Sequence, residues 1–78
     1  MAVIDEEAVT RLANAIVITA AKDYRAALKK LKRNPGNKDA MATAMECERF
    51  FRSKWYMALT TVDGEWLINK LRQEVVNI

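Results

Sequence analysis

The feature that most constrains this chain is a single amphipathic run from Asp5 to Arg33, closed by Asn34-Pro35-Gly36-Asn37. At about 100° per residue, Val9, Leu12, Ala13, Ile16, Val17, Ala20, Tyr24, Ala27, Leu28 and Leu31 fall on one arc. Arg11, Lys22, Arg25, Lys29 and Lys32 fall opposite. The β-branched stretch Ile16-Val17-Ile18-Thr19 prefers strand locally, but the long-range period and the flanking alanines favour helix. Asp5 suits an N-cap, and Glu6 and Glu7 suit the positive end of the helix dipole. Ile4 and Val9 are spaced as a hydrophobic staple. At the other end Lys29, Lys30, Lys32 and Arg33 complement the negative end. Pro35 pushes Asn34 out of the helical region, and Gly36 is expected to supply a positive φ for a type II turn.

A helix of about 28 residues is about 42 Å long. A compact chain of 78 residues has a radius of gyration of only about 11.5 Å. The first helix therefore overhangs any spherical monomer. An elongated hairpin and an oligomer that covers the overhang both satisfy this, and a dimer is expected.

The second helix is expected from Asn37, its N-cap, to about Leu59. Met41, Ala44, Cys47, Phe51, Trp55 and Leu59 would share its inner face, with Met41, Met45 and Met57 as core filler. Ser53 can cap a new helix, so a break near Arg52–Lys54 and a continuous helix stand equally open. A break would turn the aromatics inward. The third helix, about 63–76, is capped by Asp63, with Val62 and Leu67 as its staple. Leu67, Ile68, Leu71, Val75 and Ile78 form its inner face. The expectation is one all-α domain over residues 1–78: an antiparallel helical hairpin (about 5–33 and 37–59) plus a short C-terminal helix in a three-helix arrangement.

Composition narrows the chemistry. There is no histidine and one cysteine, Cys47. That excludes an internal disulfide, Ser-His and Cys-His nucleophile pairs, and His-based metal motifs. No cofactor, metal or catalytic residue is expected, and the chain is not read as an enzyme. A single thiol, an acidic N-terminus without a basic leader region, and apolar stretches far short of a membrane span lead us to expect a cytoplasmic protein.

Residues Glu46 to Tyr56, then Leu59-Thr60 and Val62-Asp63-Gly64-Glu65-Trp66-Leu67-Ile68, carry the pattern FFRS…W…LT..DGE.LI. Over residues 46–74 this resembles small proteins encoded in phages, prophages and other mobile elements of Gram-positive gut bacteria. The resemblance implies a genomic setting and no mechanism.

Two surfaces are candidates for function. Lys22, Arg25, Lys29 and Lys32 make a basic stripe that could track phosphates, although a solvated helix face whose last turn complements the dipole explains it more simply. Trp66, Asn69, Gln73 and Val76 make a second stripe on the C-terminal helix, suited to a protein partner or to lying over the bundle end. On the same helix Asn69, Lys70, Arg72 and Gln73 could reach base edges, but Glu65 and Glu74 would repel phosphates. Glu48 falls within the apolar arc of the second helix. A buried carboxylate needs a donor. Facing residues of a hairpin turning at Pro35-Gly36 have numbers summing to about 72, so Tyr24 is expected to donate to Glu48. The expected function is a non-enzymatic helical interaction or oligomerisation module; the alternative is a nucleic-acid-binding accessory protein using the first helix's basic face.

Overall fold

The computed structural model describes residues 5–76. They form four helices: α1 (Glu6–Arg33), α2 (Lys38–Phe51), α3 (Lys54–Leu59) and α4 (Gly64–Val76). Among the described residues there is no strand. The all-α reading holds, with one short helix more than expected.

Local hydrogen bonds set the boundaries. The Asp5 carboxylate accepts from the Glu7 N–H at 3.0 Å, and Asn37 Oδ1 accepts from the Ala40 N–H at 3.0 Å. Asp63 caps α4 by accepting from the Glu65 N–H at 2.9 Å. These are the expected caps, each satisfying a backbone donor that a helix start leaves orphaned. The Ile4 half of the first staple, and Ile78, lie outside the described residues.

Asn34 is extended, at φ −141° and ψ 91°, as a residue before proline should be. The turn type differs from expectation: Gly36 does not take a positive φ. Asn34 O instead accepts from the Asn37 N–H at 3.0 Å, and Asn34 Oδ1 accepts from the Gly36 N–H at 3.1 Å. That is the pattern of a type I turn, which needs no left-handed residue.

The second helix breaks. Ser53 Oγ accepts from the Tyr56 N–H at 3.1 Å and donates to the Phe50 carbonyl at 2.6 Å. One hydroxyl thus closes α2 and opens α3. The break brings Tyr56 into the core in place of Trp55, which is 60% exposed. Phe50 packs edge-on against both Trp55 and Tyr56, with ring centroids 5.4 and 5.7 Å apart. Trp55 and Met41 are therefore not inner-face residues. Nor are the methionines core filler, since Met41, Met45 and Met57 are all exposed. The α2 core face is made of smaller residues, Ala40, Ala44 and Cys47, which let α1 and α2 approach, and it ends on Phe51.

The core joins Tyr24 and Ala27 of α1, Ala44, Cys47 and Phe51 of α2, Tyr56 of α3, and Ile68 and Leu71 of α4. Phe51 meets Tyr24 and Tyr56 edge-to-face, both at 5.7 Å. At the start of α4, Gly64 comes so close to α2 that a Cβ there would stand 2.0 Å from the Phe51 carbonyl oxygen. Only glycine permits this docking.

The molecule is elongated. Its principal extents are 52 × 21 × 21 Å and its radius of gyration is 14.5 Å, above the ~11.5 Å of a compact chain of this length. The overhang lies at the N-terminal half of α1.

Candidate functional site

The apolar arc of α1 runs without interruption from Val9 to Leu31, but its two halves have different fates. From Ala20 onward the arc joins the core: Tyr24 and Ala27 are buried, and Ala20, Ala21, Leu28 and Leu31 lean on it. Before Ala20 no α1 residue is buried. Val9 is 54% and Leu12 64% exposed, while Ala13, Ile16 and Val17 are half-covered. The cause is length. α1 has 28 residues and α2 only 14, so α2 covers half of α1 before Ser53 turns the chain aside. We call the half without a fully buried residue, Glu6 to Thr19, the arm. Counting residues showed that the first helix overhangs a spherical monomer. The shortness of α2, readable only once Ser53 is known to break it, shows which half does.

The polar cluster behind the core has a different character. The Tyr24 hydroxyl donates to Glu48 Oε2 at 2.8 Å and accepts from Arg72 Nε at 3.0 Å. Arg72 Nη2 lies 3.0 Å from the same Glu48 oxygen. Arg52 Nη1 donates to the other oxygen at 3.3 Å, and Arg52 also binds Glu65 on α4. Burial pulls the Glu48 carboxyl upward, but the Tyr24 and Arg72 hydrogen bonds and the charges of Arg72 and Arg52 outweigh it and hold the group below its ordinary value. Burial and the hydrogen bond to Glu48 push the Tyr24 hydroxyl up, so it stays a donor. The cluster ties α1, α2 and α4 together with its donors and acceptors mutually satisfied. Arg72, read from the sequence as a base-contacting candidate, is its third member. Nothing in the sequence singled out Arg72 for this role, because its partners lie far away along the chain.

The basic stripe divides. Arg25 pairs with Glu74 of α4, through Nε at 3.1 Å and Nη2 at 3.0 Å. Lys32 Nζ donates to the Val75 carbonyl at 3.1 Å and lies 3.4 Å from that of Val76. No basic residue occupies the last turn of α4, so Lys32 of α1 supplies the cation that the negative end of that helix favours. Lys22 and Lys29 are exposed. The stripe on α4 is on the surface: Trp66 is 57% exposed, and Asn69, Gln73 and Val76 are exposed as well.

Cys47 is buried, and burial together with Asp23, Glu46 and Glu48 pushes its thiol up, which disfavours the thiolate. Among the described residues no three His, Cys, Asp or Glu side chains gather as a metal site, and no helix is long and apolar enough to cross a membrane. No protein family, curated protein or solved structure matches the chain.

Proposed function

We propose that this chain is a non-enzymatic helical interaction module that works by self-association, with the arm of α1 as its contact surface. The supporting observation is the N-terminal half of the α1 apolar arc, where Val9 and Leu12 are exposed and Ala13, Ile16 and Val17 only half-covered, carried on a helix whose other half is a closed core. An apolar helical face left in water is a face that gains by being covered. The likeness of residues 46–74 to small phage and mobile-element proteins supports a setting in such an element, where the cytoplasm is the expected compartment. Sedimentation equilibrium tests the reading. The wild type should sediment well above 8.9 kDa in the micromolar range, and Leu12→Asp with Ile16→Asp should sediment as a monomer with unchanged near-ultraviolet dichroism. A wild type that stays monomeric at the highest soluble concentration refutes it.

Binding of nucleic acid is the second reading, favoured by Lys22 and Lys29, which are exposed on one face of α1. Retention of the wild type on DNA at low salt, lost steeply as salt rises and lost in Lys22→Gln with Lys29→Gln, would establish it. Absence of retention at low salt ends it.

A further inference from the structure

Resting on the second reading, that the chain binds nucleic acid, we infer that the phosphates are held at the hairpin-turn end of the molecule, by Lys29, Arg33 and Lys38, with Lys22 outside the site. From Lys29 to Lys38 the chain carries five cations, Lys29, Lys30, Lys32, Arg33 and Lys38, and no acid. The fold gathers them. α1 stops at Arg33, the turn reverses the chain, and α2 starts at Lys38. All five are exposed. Lys32 is committed to the Val75 and Val76 carbonyls. The side chains of the other four make no hydrogen bond or ion pair among the described residues. Lys30 shares the cleft between α1 and α2 with Asp23 and Asp39, so it is set aside. Lys29, Lys32 and Arg33 line a different concavity, of about 480 Å³, beside Val75 of α4, and among the described residues no carboxylate lines it.

Helix dipoles do not account for this charge. The ends of α1 and α4 meet here, and each carries roughly half a negative charge. Lys32, in the last turn of α1 and bonded to the α4 carbonyls, balances about that much by itself. Lys38 stands at the start of α2, the positive end, where a cation is disfavoured. Lys29, Arg33 and Lys38 are therefore left in excess, repelling one another across an end about 21 Å wide. A partner of high charge density relieves that repulsion. Duplex DNA presents one negative charge per roughly 1.7 Å of its axis, so an end of this width meets several phosphates at once. Contacts of this kind carry no base information, and binding should not depend on sequence.

Fluorescence anisotropy of a labelled random-sequence duplex, titrated with the full chain at a series of salt concentrations, tests this. Three phosphate contacts predict a slope of about −3 in log affinity against log salt. Arg33→Gln with Lys38→Gln should weaken low-salt binding by about tenfold per residue and shrink the slope to about −1. Lys22→Gln should change neither. All of these side chains are exposed, so the variants should keep the dichroism of the wild type. Binding that survives the double change and is lost in Lys22→Gln places the phosphates along α1; it overturns the inference and leaves the second reading intact. No anisotropy change at low salt overturns both. Unlabelled poly-glutamate that displaces the duplex more effectively than unlabelled duplex does, at equal charge, marks the site as one for an acidic protein and overturns the inference as well.

Discussion

Tyr24 of α1 donates its hydroxyl proton to Glu48 of α2 across 2.8 Å, the contact at which the register of the hairpin can be read. Its neighbours on either side are set by that register, and Arg72 of α4 closes over both groups. Breaking one member leaves a half-buried polar atom short of a partner, at about 1–3 kcal/mol. A double-mutant cycle of Tyr24→Phe and Glu48→Gln, followed by urea unfolding, should show the two changes to be less than additive. Strict additivity would show that the hydroxyl and the carboxylate do not stabilise one another.

The same carboxylate makes stability sensitive to acid. Glu48 is held below its ordinary value of 4.5, so the folded state binds its proton less readily than the unfolded chain. Its contribution is fully present above 4.5 and is lost as pH falls from there through the lower folded value. Urea midpoints measured from neutral pH downward should fall more steeply for the wild type than for Glu48→Gln, and the difference between the two should narrow below 4.5. Parallel profiles would contradict the assignment.

Tyr56 offers the opposite case. It is 1% exposed, and its hydroxyl has no hydrogen-bond partner among the described residues. Removing a buried hydroxyl that makes no bond relieves a desolvation cost. Tyr56→Phe should therefore hold or raise Tm, in contrast to Tyr24→Phe. A drop as large as that of Tyr24→Phe would reveal a partner for this hydroxyl.

Gly64 should respond against helix propensity. In an exposed helix interior, alanine for glycine gains about 1 kcal/mol. Here the new Cβ would stand 2.0 Å from the backbone oxygen of Phe51, and neither backbone can yield without separating α4 from α2. Overpacking of this kind costs about 1–3 kcal/mol. Thermal denaturation of Gly64→Ala should show a Tm lowered by several degrees; an unchanged or higher Tm would mean that α4 does not dock so closely.

Within the basic stripe, stability should separate the residues. Arg25 bridges to Glu74 with both side chains a little over a third exposed, a pair worth at most about 1 kcal/mol in water. Arg25→Gln should lower Tm slightly. Lys22→Gln and Lys29→Gln should leave it unchanged. A larger loss from the lysines would place them in contacts that α4 does not make.

What the sequence by itself determined are the features written within three or four residues of one another. Asp5, Asn37 and Asp63 each cap a helix because an acceptor stands two or three residues before an orphaned N–H. Asn34-Pro35-Gly36-Asn37 turns the chain, and counting outward from that turn already sets Tyr24 against Glu48. Even the surplus length of α1 follows from counting residues. Only the tertiary structure decided the rest, because the deciding atoms are far apart along the chain. A serine that can cap does so at Ser53 when the break lets Tyr56 and Phe50 complete an aromatic core. Arg72 turns to Tyr24, 48 residues away, because α4 lies close to both α1 and α2. Lys32 leaves the basic stripe for the carbonyl end of α4. Gly64 matters through Phe51, which no local pattern couples to it. Periodicity marks a helix face as apolar; which half of that face finds a cover is settled by where the other helices end.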